Sequence, residues 1–269
     1  MRVKPLVLLL ITTFISACAS PDAARYRIPE SETEAKVSSI LAQTPLASEQ
    51  QQGERISQIS AAFLGTPYLA DTLVGSSDTP EMLVINFRGV DCFTLLDYVQ
   101  ALSRSHDSAS FEANLIRTRY IGGQVSYLKR RHFFTDWFAE NPRNANDVTR
   151  SLSPKTVTVL KQLNRQADGT EWVPGLGVIP RRITYIPSLA ITVQVLNQIR
   201  TGDFVGIYAT AQGLDVSHVG IAVRHDGRLW FRNASSLAAT RKVVDTPFRE
   251  YMRSKPGIIV LRAVPLAAP

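Results

Sequence analysis

The sequence predicts an α+β fold in which a helix packs on an antiparallel sheet, and three observations carry that prediction. Apolar residues at helical spacing cluster before residue 103, and short apolar runs of strand length gather after residue 203. Between two of those runs stands Asp226-Gly227, a strong hairpin signal. Helices first and antiparallel strands afterwards fit a layered α+β architecture. The composition allows a packed core: of 269 residues, 45% are hydrophobic and 20% charged, which excludes a disordered or collagen-like chain.

At the N-terminus, Arg2 and Lys4 precede an apolar run from Leu6 to Ile15 that is too short to span a bilayer. The run ends in Ile15-Ser16-Ala17-Cys18. A basic start, a short apolar stretch and small residues before a cysteine read as an export signal ending in a lipobox. Residues 1–17 are therefore expected to be removed, and Cys18 to carry a lipid anchor to the membrane. An ordinary secretory signal with an incidental cysteine is the other reading. Ala19 is similar to the second residue of outer-membrane lipoproteins, which implies an envelope protein facing the periplasm. Residues 18–48, with their Ala, Ser, Pro, Glu and Gln, read as a lipidated N-terminus and tether with some helix from Ser31 to Leu41, and 49–269 as one domain.

The formal net charge of +7 would suggest nucleic acid for a cytoplasmic protein. Removal of Arg2 and Lys4 takes two positive charges from that excess, and an exported chain meets anionic wall or lipid groups, so no nucleic-acid partner is expected. A solvated basic surface is the blander explanation. Of the two cysteines, Cys18 and Cys92, the second has no intramolecular partner if the first is lipidated. Such a thiol is either buried and inert or working.

Along the domain, Ile56, Ile59, Ala62 and Phe63 predict a helix of about fifteen residues ended by Gly65-Thr66-Pro67. Met82 to Phe87 reads as a short strand. After Gly89, the residues Cys92, Leu95, Leu96, Val99 and Leu102 predict a core-facing helix with Asp91 as its cap. The stretch from about 108 to 200 reads as insertions around a site. Leu189 to Ile199 has a helical pattern, although its Val and Ile content also suits a strand, and Thr201-Gly202-Asp203 turns the chain. Strands are predicted at Phe204 to Thr210, His218 to Val223, Leu229 to Asn233 and Gly257 to Val264.

Cys92 falls in the first turn of its helix, where free amide N–H groups and the dipole favour thiolate, so a depressed thiol pKa and a nucleophilic role are expected. A small buried hydrophobe is the alternative. His218, at the start of a predicted strand, is placed to take the thiol proton and return it to a leaving amine. Asn233 ends the hairpin partner of that strand, where its carbonyl could fix the imidazole tautomer; turn chemistry would equally account for it. His106, His132 and His225 lie in a polar segment, an aromatic-rich segment and a turn, and none has as good a context. Neither a His-Glu-x-x-His motif nor Gly-x-Ser-x-Gly is present, so no metal, no cofactor and no serine nucleophile are expected.

Five blocks, Gly65-Thr66-Pro67-Tyr68, Val90-Asp91-Cys92-Phe93-Thr94, Gly202-Asp203-Phe204-Val205, Ser217-His218-Val219-Gly220-Ile221 and Asn233-Ala234-Ser235-Ser236, resemble in order the motifs of NlpC-like cell-wall cysteine hydrolases. With Thr72-Leu73, Glu81, Arg119-Tyr120, Arg130, His132, Asp136-Trp137, Tyr185 and Pro187, the chain more closely resembles the N-acetylmuramoyl-L-alanine amidase-like family over residues 50–264. The resemblance implies a papain-like NlpC-type core with family-specific insertions, in which Cys92 is the nucleophile, His218 the base and Asn233 the orienting group. In the broader superfamily the third place is often His, so Asn233 is a departure: it can orient the imidazole but cannot carry charge.

The resemblance further implies a muropeptide or peptidoglycan substrate cut between N-acetylmuramic (or anhydro-muramic) acid and L-Ala. Tyr68 is implied as an oxyanion donor. Arg119, Tyr120, Arg130, Trp137 and Tyr185 are the substrate-binding candidates, with core aromatics and solvated arginines as the alternative. Two other functions stay open: an endopeptidase cutting between D-Glu and diaminopimelate, and a wall-fragment-binding lipoprotein without catalysis. The sequence assigns no oligomeric state.

Overall fold

The computed structural model describes residues 26–27, 30–45 and 51–265, so the expected signal peptide and Cys18 lie outside the described residues. The N-terminal part comprises β1 (Tyr26–Arg27), α1 (Glu30–Gln43), α2 (Gln52–Ala61), β2 (Val84–Ile85), α3 (Cys92–Leu102) and α4 (Ser108–Arg119). The middle holds α5 (Asp136–Ala139), β3 (Ala145–Asp147), α6 (Thr149–Leu152), β4 (Val157–Leu163), β5 (Ile179–Pro187) and α7 (Val193–Gln198). The chain then runs through β6 (Phe204–Tyr208), β7 (Val216–His225), β8 (Arg228–Ala234), β9 (Val243–Pro247), α8 (Phe248–Met252) and β10 (Gly257–Ala263). No described helix is long and apolar enough to cross a membrane.

The predicted mixture of helices and an antiparallel sheet is what forms. The main sheet has the order β4-β5-β10-β6-β7-β8-β9, with β3 added on β10 and every pair antiparallel. The predicted β7–β8 hairpin turns at Asp226 and Gly227, whose φ values of 51° and 70° suit a two-residue turn that follows the strand twist. The register slips between Ile207 and Tyr208, opposite His218 and Val216, so a bulge re-aims the start of β7.

Helix α3 starts where Asp91 predicts. The Asp91 carboxylate accepts from the N–H groups of Phe93 (2.9 Å) and Thr94 (2.7 Å), and the Asp91 N–H donates to Thr94 Oγ1 (3.0 Å), a reciprocal cap. Leu95, Leu96, Tyr98 and Val99 then pack, together with Val219, Ile221 and Val223 of β7, into the larger core. Cover is not confined to that face. Val205, Ile207, Ala222, Phe231 and Val260 point the other way, into a second core closed by Val195, Phe248 and Met252 of α7 and α8. The strands β6 and β10 are therefore apolar on both sides, and their sequences lack the alternation of a half-exposed strand.

The expected tether is corrected by α1. Val37, Ile40 and Leu41 are buried in the larger core, and β1 pairs in parallel with β2, so part of 18–48 is built into the domain. The polar residues around them hide a short helical stripe at i, i+3 and i+4. Ile40→Ala is expected to cost about 2–5 kcal/mol of stability, read from the urea midpoint; a tether residue would leave the midpoint unmoved. The helix over 52–61 is also shorter than expected, and β2 keeps only two of the residues from 82 to 87.

Candidate active site

The start of α3 meets β7 and β8 at one end of the sheet. Cys92 is partly exposed, and the backbone N–H groups of Val219, Cys92 and Phe93 favour its thiolate electrostatically. One residue before Val219, His218 places Nε2 3.0 Å from Asn233 Oδ1. Asn233 is 1% exposed, and its amide nitrogen donates to the Phe231 carbonyl (3.0 Å) and to Thr246 Oγ1 (3.2 Å). With its nitrogen so committed, Asn233 presents only its oxygen to the ring. Neutral His218 must then carry its proton on Nε2 and keep Nδ1 as the basic nitrogen.

Phe231 braces the imidazole from the neighbouring strand, edge to face with ring centroids 5.9 Å apart. It approaches closely because Gly220 lies over it: a Cβ there would sit 2.6 Å from Phe231 Cε2 and from the Arg232 carbonyl oxygen. A side chain at residue 220 would push the ring, and with it the imidazole, out of place.

The electrostatics correct one expectation. Burial pushes the Cys92 thiol up to about 12, the Asp91 carboxylate adds to the rise, and the three N–H groups only partly oppose it. A helix start was expected to depress this pKa; here desolvation and the capping carboxylate outweigh the amides. Burial also lowers the His218 pKa, helped by Lys255 and opposed by the Asn233 hydrogen bond and Asp91. At neutral pH the pair rests as thiol and uncharged imidazole. Alkylation of Cys92 by iodoacetamide should therefore keep accelerating above pH 9, where a free thiol levels off near its pKa of about 8.5. A plateau at neutral pH would show a resting thiolate.

Tyr68 bridges by its backbone to Val90, two residues before Cys92. Burial raises its pKa, with the charges of Cys92 and Asp91 adding, so its hydroxyl is a protonated donor. Arg241 covers its ring at 5.2 Å. Two neighbours were not anticipated from the sequence: Tyr251 of α8, whose pKa is raised by burial and then by the charge of Cys92, and Lys255, which acts on His218. The signal for Tyr251 was the Phe248, Tyr251, Met252 spacing of a short apolar helix; nothing local marks Lys255. The remaining histidines are engaged elsewhere: His132 on the Tyr127 carbonyl, His225 between Asp226 and Asp245, and His106 beside Asp107.

The five substrate-binding candidates scatter. Arg119 is 1% exposed and spent on Asp97 (2.8 Å) and the Val84 carbonyl (2.8 Å), and Trp137 is fully buried against Phe134 and Phe204, so neither offers a face to a ligand. These two are core residues, held there by an ion pair and by ring packing. Tyr120 and Arg130 meet on one carboxylate: the Tyr120 hydroxyl donates to Glu81 Oε1 (2.7 Å), while Arg130 grips both Glu81 oxygens (3.0 and 2.5 Å). Glu81 lines a cleft with Ser76, Val125, Tyr127 and Leu128. Half-buried Tyr185 stacks on Tyr208 with centroids 3.9 Å apart.

Fold and site together describe a mixed α/β protein with an antiparallel sheet, in which a His-Asn pair on adjacent strands and a cysteine at the start of a packed helix are found. The chain belongs to the AmiA-like family, described as N-acetylmuramoyl-L-alanine amidase-like, whose model matches residues 58–258. Among solved structures it is similar to an N-acetylmuramoyl-L-alanine amidase from Bacteroides uniformis, at 30% identity and a TM-score of 0.68 over 80% of this chain and 99% of that one. A Legionella pneumophila protein of family DUF1460 shares the fold at 24% identity, with a TM-score of 0.74 over 88% and 96% of the two chains. No curated protein matches the sequence.

Proposed function

We propose that the protein is a peptidoglycan-fragment amidase that hydrolyses the bond between N-acetylmuramic or anhydro-muramic acid and L-Ala, with Cys92, His218 and Asn233 as the catalytic group. The observation that carries the reading is the fixed 3.0 Å contact of His218 with Asn233, on the strand whose next residue, Val219, shares the larger core with Cys92. A helix bearing the nucleophile, packed on an antiparallel sheet, supports the papain-like NlpC-type interpretation of the core.

With the resting thiol near a pKa of about 12, the proton leaves only as the sulfur attacks. Nδ1 of His218 takes it, and the imidazolium is held by Asn233. The oxyanion draws on the Tyr68 hydroxyl and the Cys92 amide. His218 then protonates the departing L-Ala amine, and water, activated by the freed imidazole, hydrolyses the thioester. Burial above all, with Lys255 adding, lowers the His218 pKa against the Asn233 hydrogen bond, so the base becomes protonated only below the ordinary imidazole value of about 6.5. The acid limb of kcat/KM is expected below that value; an acid limb near pH 8 would show a different base.

Asn233→Ala is expected to lower kcat about 10²-fold with KM changed less than about threefold, because the ring loses its tautomer and not the substrate. Unchanged kcat would show that another group orients His218. For localisation we propose the envelope, with Cys18 as the lipid-bearing residue; Cys18→Ala should move the protein from the membrane to the soluble fraction, and retention would remove the anchor.

The deciding experiment gives a disaccharide-anhydro-muropeptide to the chain and to Cys92→Ala, with products read by mass spectrometry. Free disaccharide plus intact stem peptide, from the unsubstituted chain alone, is expected. A cut within the stem would point to the endopeptidase, and no cut in any fragment to a binding protein.

A further inference from the structure

The proposed site is flanked by a cation with no carboxylate partner among the described residues. Lys255 follows α8 and is half-buried, and its Nζ lies 4.6 Å from the Tyr251 ring centroid. Tyr251 stacks on Phe231 at 5.5 Å, and Phe231 meets His218 edge to face at 5.9 Å. This row of rings links the ammonium to the His218 ring. The backbone is pinned there as well: the Lys255 N–H donates to the Met252 carbonyl (3.1 Å), and its carbonyl accepts from Ser188 Oγ. Every ion pair between described side chains is made by other residues. A semi-buried cation kept from any internal anion is poised for an external one.

We propose that Lys255 is a specificity residue that pairs with the first free carboxylate of the departing stem peptide. The inference rests on the amidase reading and adds to it the side on which charge is recognised. In an N-acetylmuramoyl peptide the sugar acid's only carboxyl is consumed in the scissile amide, so every remaining carboxylate lies on the peptide. A cation is useful on that side alone, and His218, which protonates the leaving amine, marks it. When the second stem residue is joined through its side-chain carboxyl, its α-carboxylate is free. One Cα step of about 3.8 Å plus a carboxyl bond places that group roughly 6 Å from the leaving nitrogen, and the Phe231–Tyr251 row joins His218 to the ammonium that would meet it. Tyr251 restricts the lysine chain, which reduces the entropy lost on pairing.

The test uses Cys92→Ala as a non-turnover chain and two ligands, N-acetylmuramoyl-L-Ala-D-isoglutamate and its carboxamide counterpart D-isoglutamine, with affinities from calorimetry. The carboxylate ligand is expected to bind about tenfold more tightly, the preference falling to within about twofold in Cys92→Ala/Lys255→Met and being largely kept in Cys92→Ala/Lys255→Arg. A merely structural lysine would shift both ligands together. Equal binding of the two ligands, absence of binding by both, or a preference that survives Lys255→Met would overturn the proposal. Hydrolysis of the same ligands by the active chain separates the two readings. Cleavage of the muramoyl-alanyl bond without carboxylate preference removes the role of Lys255 alone. A lysine-dependent preference without cleavage removes the amidase alone.

Discussion

Cys92→Ala is expected to lower kcat/KM on a disaccharide-anhydro-muropeptide by at least about 10⁴-fold, because in the proposed mechanism it removes the covalent nucleophile, forfeits the acyl-enzyme route and leaves only binding and oxyanion contacts. His218→Ala should fall nearly as far. The thiol it serves is pushed up to about 12, so without a base almost none of it is ionised at neutral pH. The pair acts as a unit, and the double variant should therefore lose little more than either single one. Cys92→Ser tests the same point from another side: an alcohol is harder to deprotonate than a thiol, and burial and Lys255 make His218 a weak base, so serine should be nearly as inactive as alanine. Steady-state rates by product mass spectrometry check all four chains. Activity retained in Cys92→Ala would place the nucleophile elsewhere.

Much of this site was readable because its chemistry is encoded locally. Asp91 ahead of a helical apolar pattern is a capping signal that needs no tertiary knowledge, and it marks the start of α3 and hence the place of Cys92; the reciprocal bond to Thr94 is what the structure adds. The Asp226-Gly227 turn fixed the β7–β8 register, and register alone brings His218 and Asn233 onto adjacent strands. What escaped was set by partners distant in sequence. Asn233 is oriented by Thr246 across the β8–β9 pair, and the sequence offered no strong strand signal for β9. The two-sided burial of β6 and β10 arises from α7 and α8, short helices with little pattern of their own. The thiol pKa was misjudged for the same reason: the helix start is visible locally, whereas the desolvation that overrides it belongs to the assembled core.

Arg119 shows how an expected ligand group becomes a structural one, and its replacement should produce the largest loss of stability. Its guanidinium and the Asp97 carboxylate are 1% and 3% exposed as side chains and lie 2.8 Å apart. Burial opposes the charge on Arg119 most strongly of any single cause, but Asp97, by charge and hydrogen bond, together with Tyr98 and Tyr120 outweighs it and holds the pKa above the ordinary arginine value. Burial pushes the Asp97 carboxyl upward while Arg119 pulls it back; at 2.8 Å, with the Val84 carbonyl as a further acceptor, the charged pair is the form the geometry favours. Arg119→Ala leaves a buried carboxylate alone, which costs about 3–5 kcal/mol.

The sign with pH follows. Without its partner, the folded-state pKa of Asp97 lies above the unfolded one, so the variant keeps most of its stability below the unfolded pKa and loses it as pH rises through the folded value. The deficit in urea midpoint should thus widen from pH 5 to pH 8. Asp97→Leu/Arg119→Met, which removes both charges and fills the space, should recover most of the loss, since a buried pair is worth little against well-packed apolar groups. If Arg119→Ala instead left the midpoint unchanged and raised KM, the guanidinium would be reaching substrate, and its place in the core would have to be given up.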